Sequence, residues 1–308
     1  MILVLNLNAS IDKKYEIENI EKGKVMRARS VENTPGGKGL HVANVATILG
    51  ENCIATGLLG GKSGEFIEDR LKDYGIKQDF IKISGETREC LAFITDDLVQ
   101  TEILEPGPEV TEKEQIEFLD KYIDLLPDAT VVVASGSVPR NVPSNFYRKL
   151  IEMSNAQEKK FLLDTSGNLL KDGIKGKPYF IKPNRDEIEA LTGRRINSVE
   201  DAIKEIKEFH NKGIKFVVIS LGEEGSIAGY NGKFYRVTFE KVNAVNPVGS
   251  GDSYVAGIAV GIERGYSIED TLKLASACGT ANAMEKETGF VNKSVVEELM
   301  KKVEVTEI

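Results

Sequence analysis

Short, unbroken apolar runs recur along this chain, and their length and β-branched content predict strands buried on both faces. Residues 2–7 form the first run. Val131-Val132-Val133-Ala134, Phe161-Leu162-Leu163, Phe180-Ile181 and Phe216-Val217-Val218-Ile219 have the same look. Between them the apolar positions move to helical spacing. Residues 114–126 carry Ile116, Leu119, Ile123 and Leu126, and residues 146–151 follow Ser144 as a candidate cap. Residues 199–212 follow Ser198, with Asp201 in the first turn of the expected helix. Buried strands alternating with helices predict an α/β fold with a mainly parallel sheet covered on both faces.

Two segments break this rhythm. Residues 14–32 are polar and loosely alternating, with Tyr15, Ile17, Ile20, Val25 and Val31 spaced along them. Residues 90–104 read as a hairpin, in which Leu91-Ala92-Phe93-Ile94 and Thr101-Glu102-Ile103-Leu104 flank the polar Thr95-Asp96-Asp97. Pattern alone leaves two readings open, separate surface excursions or one small accessory sheet. No internal repeat and no low-complexity linker divides the chain, so 1–308 is expected to form a single domain.

Composition narrows the chemistry. The 308 residues carry 40 Lys+Arg against 48 Asp+Glu, a formal net charge of −8. That balance argues against a nucleic-acid surface, and an anionic ligand must be captured by a few placed cations against the global field. No apolar run reaches the roughly 18–20 residues of a membrane helix, and the first residues lack the cationic region of a signal peptide. Cys53, Cys90 and Cys278 lie far apart with no metal-ligand spacing. A reduced, cytoplasmic setting with no membrane partner is expected.

Glycine-rich turns supply the candidate chemistry. Gly61-Lys62-Ser63 imitates the end of a P-loop, but the first glycine of that motif would fall on Thr56. No clean dinucleotide-binding fingerprint follows the first run either. Thr34-Pro35-Gly36-Gly37-Lys38-Gly39 precedes a helical run from Val42 to Leu49, a place where backbone N–H groups and Lys38 can meet an anion. Asn246-Pro247-Val248-Gly249-Ser250-Gly251-Asp252-Ser253 precedes a small-residue helix and offers a second N–H cradle. Asp252 beside such a cradle reads either as a general base or as a helix cap. Asn184 and Glu187, three apart after Phe180-Ile181, suit either an oxygen-ligated ion such as Mg²⁺ or a capping box. Ser220-Leu221-Gly222-Glu223-Glu224-Gly225 after the last buried run suits a nucleotide loop or a plain turn. His41 and His210 are too isolated for a metal cluster, and His210 is expected on the solvated surface.

Taken in order, these motifs resemble the PfkB, or ribokinase-like, family of sugar kinases over essentially the whole chain. Residues 35–39 resemble its first signature and residues 246–252 its second; Asn184 to Glu187 match its Asn-x-x-Glu motif. The resemblance implies a three-layer αβα sandwich whose small β-lid is built from residues 14–32 and 90–104. It also implies ATP and Mg²⁺, and it allows a homodimer through the lid.

The opening Asn8-Ala9-Ser10-Ile11-Asp12 is similar to the hexose-phosphate branch of the family. By that resemblance Asp12, Gly36, Gly37, His41 and Ser137 face the sugar, and Lys38, Arg27 and Arg88 hold its existing phosphate. Lys182, Asn184, Ser220, Gly222, Gly225, Gly251 and Asn282 face the nucleotide, with Asn184 and Glu187 organising Mg²⁺. Asp252 takes the acceptor proton while Gly249, Ser250 and Gly251 cradle the moving phosphoryl group. His41 departs from the pattern, because the family usually carries Asn there. The implied acceptor is a ketohexose phosphate, tagatose 6-phosphate first and fructose 1-phosphate as the alternative, giving the 1,6-bisphosphate. A silent sugar-phosphate sensor is the rival from another class, and the intact Gly249-Ser250-Gly251-Asp252 argues against it.

Overall fold

The computed structural model describes residues 1–97 and 99–308; Leu98, inside the expected 90–104 hairpin, lies outside the described residues. The chain opens with β1 (Ile2–Asn6), buried throughout, and then leaves the main body in β2 (Ser10–Glu16) and β3 (Ser30–Gly36). It returns through α1 (Lys38–Ile48), β4 (Cys53–Gly60), α2 (Gly61–Asp73) and the short strands β5 (Lys77–Gln78) and β6 (Ile81–Ile83). A second departure forms β7 (Arg88–Ile94) and β8 (Gln100–Leu104). Alternation then sets in with α3 (Glu112–Leu125), β9 (Val131–Ser135), α4 (Phe146–Ala156), β10 (Lys160–Asp164), α5 (Gly167–Gly173), β11 (Phe180–Ile181), α6 (Arg185–Thr192), α7 (Val199–Asn211) and β12 (Phe216–Ser220). The antiparallel β13 (Ser226–Tyr230) and β14 (Lys233–Thr238) follow, then α8 (Ser250–Glu263), α9 (Ile268–Ala283), α10 (Lys293–Met300) and β15 (Glu304–Glu307).

The main sheet runs β15-β14-β13-β12-β11-β10-β9-β1-β4-β5, with β6 against β4, and every pairing from β12 to β5 is parallel. Strand side chains alternate between two cores. Ile2 and Val4 pack with α1, α8 and α9 on one face, while Leu3 and Leu5 pack with α3, α4 and α7 on the other. Three layers result, as a continuously apolar parallel strand requires.

The two departures from the main body share a separate four-stranded sheet, ordered β3-β2-β7-β8. Its strands begin at Ser10 and Arg88 and extend to Gly36, beyond the 14–32 segment read from the sequence.

Local signals hold where a cap acts within its own turn. Thr111 and Glu114 close a capping box on α3, and Ser198 with Asp201 closes one on α7. Ser144 does not cap α4. Its hydroxyl turns to Asp172 Oδ2 at 2.5 Å, and Asn145 takes the cap position without a side-chain bond. His210 is half-buried rather than solvated, with Nδ1 set 2.8 Å from the Ile214 carbonyl. No helix among the described residues is long and apolar enough to cross a membrane.

Candidate active site

The parallel strands end on one side of the sheet, and their carboxyl ends carry Asn6, Asp164, Lys182 and Ser220. The connection from β1 goes to β4 on one flank while β9 lies on the other, so the strand order switches direction beside β1. Crevices at such switch points are where open α/β sheets bind ligands. Here the crevice is a cleft of about 980 Å³, walled on its far side by Lys14, Cys90, Ala92 and Glu102 of the second sheet.

Two helix N-termini point into this cleft. Gly249 caps α8 with φ +83, a conformation that only glycine adopts freely, and a Cβ there would stand 2.7 Å from Thr288 Cγ2. Among the described residues the N–H groups of Gly249, Gly251 and Asp252 find no hydrogen-bond acceptor, which leaves them free for an anion. Ser250 N–H instead donates to the Pro247 carbonyl at 3.3 Å. Gly37 caps α1 with φ +106 and is packed against Asn6.

Asp252 lies in the first turn of α8 and is buried. His41 Nδ1 sits 2.8 Å from Asp252 Oδ2, and His41 Nε2 sits 3.7 Å from Asp12 Oδ2. Burial opposes charge on this ring, but hydrogen bonding to Asp12 and Asp252 outweighs it and raises the pKa to about 10. The two carboxylates thus favour the charged form of the ring. Lys182 reaches the same place from the end of β11: its Nζ is 3.5 Å from Asp164 Oδ1 and borders Gly251.

One end of the cleft gathers Asp12, Gly37, Arg88 and Ser137, with Gly36 packed behind Asp12. Asp12 Oδ1 accepts from Ser10 Oγ at 2.7 Å, and its carboxylate fills the space where a side chain on Gly36 would go. Ser137 Oγ accepts from Asn8 Nδ2 at 3.0 Å. Arg88 is held by two backbone carbonyls: Nε and Nη2 donate to Asn8, and Nη1 donates to Glu105 at 2.7 Å. Arg27, expected to hold the acceptor phosphate, stands apart from Lys38 and Arg88. It is exposed in the β2–β3 connection and does not line the cleft, because the second sheet turns that end toward solvent. Lys38 does line the cleft, but its Nζ lies 3.9 Å from Asp164 Oδ2. The Asp164 charge raises its pKa foremost, against burial, and Asp252 and Glu187 add to the effect.

At the other end Asn184, Glu187, Ser220, Gly222 and Gly225 all line the cleft. Asn184 and Glu187 form the capping box of α6: Glu187 N–H donates to Asn184 Oδ1 at 2.8 Å, and Asn184 N–H donates to Glu187 Oε2 at 2.9 Å. Glu187 keeps its second oxygen. Among the described residues no group of three or more His, Cys, Asp or Glu side chains could hold a resident ion. Asn282, expected to face the nucleotide, does not line the cleft. It is fully buried, donates to the Val248 carbonyl at 2.8 Å and accepts from Gly289 N–H at 2.9 Å, so its amide braces the cradle from behind.

Sequence reasoning missed Asp164. The residue ends the apolar run Phe161-Leu162-Leu163, is buried, and stands between two lysines with Oδ2 lacking any hydrogen bond. A carboxylate closing a buried parallel strand was the available signal. Together these groups can take a proton at Asp252 and stabilise growing negative charge a few ångströms away.

The sequence model of the pfkB family carbohydrate kinases matches residues 5–294. The tagatose-6-phosphate kinase of Staphylococcus epidermidis is 40% identical over 311 residues, spanning 100% of both chains. Phosphofructokinase-2 from Escherichia coli in complex with potassium superposes with a TM-score of 0.92 at 25% identity, over 97% of this chain and 98% of that one. The tetrameric inhibited form of the same enzyme gives a TM-score of 0.91 at 25% identity with the same shares covered. A family match that takes in both glycine turns and the strand ends between them, with a relative of equal length, places this chain in the pfkB family of carbohydrate kinases.

Proposed function

We propose that this chain transfers the γ-phosphoryl group of ATP to a hydroxyl of a ketohexose phosphate, with tagatose 6-phosphate preferred and the 1,6-bisphosphate as product. The choice of a phosphorylated acceptor rests on Arg88. Its guanidinium faces the cleft, is oriented by two carbonyls, and meets no carboxylate among the described residues. A neutral sugar would leave that charge without a partner, whereas a phosphate completes it. The full-length similarity to a tagatose-6-phosphate kinase supports the choice of sugar.

In this reading Asp12 holds sugar hydroxyls, and Asp252 accepts the proton of the attacking one through the oxygen not engaged by His41. The free N–H groups of Gly249, Gly251 and Asp252 receive the phosphoryl oxygens, with the Lys182 ammonium beside them. Ser220, Gly222 and Gly225 form the floor under the nucleotide. Mg²⁺, when bound, neutralises charge on the donor phosphates. The site fits an ion that arrives with ATP and keeps its waters, because the capping box leaves one Glu187 oxygen unbonded and one lone pair on Asn184 Oδ1 to face it. The second sheet keeps water from the activated acceptor.

The reading extends to a homodimer through that sheet. Val31 and Ile103, 52% and 56% exposed, share its outer side with the stacked Tyr15 and Phe93. Sedimentation should give a species twice the chain mass; a monomer at micromolar concentration would remove the dimer.

ADP release measured with tagatose 6-phosphate, fructose 6-phosphate, fructose 1-phosphate and free fructose tests the whole reading. Phosphorylated ketohexoses should exceed free fructose in kcat/KM by at least about 100-fold, equivalent to roughly 2.7 kcal/mol. Free fructose as the best acceptor ends it.

A further inference from the structure

His41 stands between Asp12 and Asp252, from a helix that carries neither of them. Its Nδ1 engages Asp252 Oδ2 from α8 at 2.8 Å, and its Nε2 faces Asp12 Oδ2 from β2 at 3.7 Å. Only 11% of the side chain is exposed. We propose that His41 is a positioning residue for phosphoryl transfer: its ring ties Asp252 to Asp12, so that the carboxylate taking the proton is held in register with the one holding the sugar.

Nδ1 is hydrogen-bonded to Asp252 while Nε2, on the opposite edge, stands at ion-pair distance from Asp12, so a turn of the ring would release Asp252 and draw the charge away from Asp12. Engaging Oδ2 leaves Oδ1 of Asp252 as the oxygen open to the acceptor, and Oδ1 makes no hydrogen bond among the described residues. The backbone helps to fix the ring, since His41 N–H donates to the Gly37 carbonyl and the His41 side chain packs against Gly289.

Charge gives the same residue a second effect. At the meeting point of donor and acceptor, Lys38, Lys182, Arg88 and His41 face Asp12, Asp164, Asp252 and Glu187. Without a charged ring between Asp12 and Asp252, the carboxylates of this group outnumber its cations where two polyanionic substrates must meet. Asp252 stands at an N–H cradle meant for a phosphoryl group, and an adjacent positive charge offsets the repulsion between them. Glu287 and Thr288 border the ring from the far side and add no cation there.

The inference rests on Asp252 being the base, so a double-mutant cycle tests it. The best acceptor of the panel and ATP would be used to measure kcat and both KM values for His41→Asn, Asp252→Asn and the double variant. Thermal unfolding would accompany each. His41→Asn should lower kcat roughly 10- to 100-fold, the scale of a small misplacement of reacting groups, with KM for ATP close to wild type. The double variant should be no slower than Asp252→Asn alone. His41→Gln, which can return one N–H to Asp252, should recover part of the loss; it also carries the cycle if the Asn variant does not fold. A wild-type kcat in His41→Asn overturns the inference and leaves the base assignment standing, as does a loss that multiplies in full on Asp252→Asn. A wild-type kcat in Asp252→Asn overturns the base assignment and this inference together.

Discussion

Replacing Arg88 by alanine separates acceptor recognition from the rest of the site. The guanidinium makes three contacts, at 3.3 and 3.1 Å to the Asn8 carbonyl and at 2.7 Å to the Glu105 carbonyl. These aim the charge without neutralising it, so a phosphate brought alongside meets a full cation. A charge-assisted hydrogen bond of that kind is worth about 1.5–3 kcal/mol, which raises the acceptor KM roughly 10- to 100-fold. A structural cost is separable from this. The same contacts join β7 to the β1–β2 turn at Asn8 and to the segment after β8 at Glu105, but Arg88 is only half-buried and water can replace it at both carbonyls. The loss of stability should therefore stay on the order of 1–2 kcal/mol.

The assay is coupled ADP release, first with the acceptor varied at saturating ATP and then with ATP varied at saturating acceptor. KM for ATP should hold. The preference for phosphorylated over free ketohexose should shrink by the same factor as the acceptor KM rises, because free fructose has nothing for Arg88 to bind. Arg88→Lys should fall between, since a point charge remains but the two-pronged donor is lost. An equal rise in both KM values, or an unchanged acceptor KM, would refute the assignment of Arg88 to the acceptor phosphate.

Asp252→Asn should lower kcat by roughly 10²–10⁴ while both substrates still bind, as calorimetry can check; a near-normal kcat would reduce Asp252 to a first-turn helix residue. Gly249→Ala forces a side chain into φ +83 against Thr288 and Gly289, so the melting temperature and kcat should both fall. A variant matching wild type in both would show that the cradle needs no glycine there. Glu114 predicts a pH effect far from the cleft. Burial raises its pKa, but hydrogen bonds from Ser84 and Thr111 outweigh this and lower it from 4.5 to about 2. The stability it contributes is present above pH 4.5 and is lost as pH falls toward 2. In urea unfolding the gap between wild type and Glu114→Gln should close over that range, and a gap constant with pH would reject the effect.

The parallel strands were legible because burial on both faces leaves unbroken apolar runs, and Ser198 was legible because a cap acts within three residues of itself. Ser144 misled because its hydroxyl serves Asp172 on another element, a tertiary choice that no local pattern records. The Asn184 and Glu187 spacing fits an ion and a capping box equally, and the backbone of α6 realises the box. Arg27 shows a different limit: a loosely alternating segment does not say which of its residues line the cleft and which face solvent. Asp164 acquires meaning only from Lys38 and Lys182, which two different segments deliver to it.

The register of the second sheet has a mechanical consequence. Ser10 lies opposite both Gly36 and Arg88, whereas Glu16 lies opposite Ser30 and Ile94 at the other end. The row at Ser10 is where the sheet is rooted in the main body, so a tilt of the whole sheet turns about that row. Points near an axle sweep short arcs. Asp12, Gly36 and Arg88 would therefore keep nearly fixed positions in such a tilt, while the rim at Glu16 and Ile94 would travel furthest. Gly37 alone separates the root of β3 from Lys38, so the same rotation pulls directly on the start of α1. Under such a tilt, changes at the rim would alter the width of the cleft, and changes at the root would alter the residues that line it.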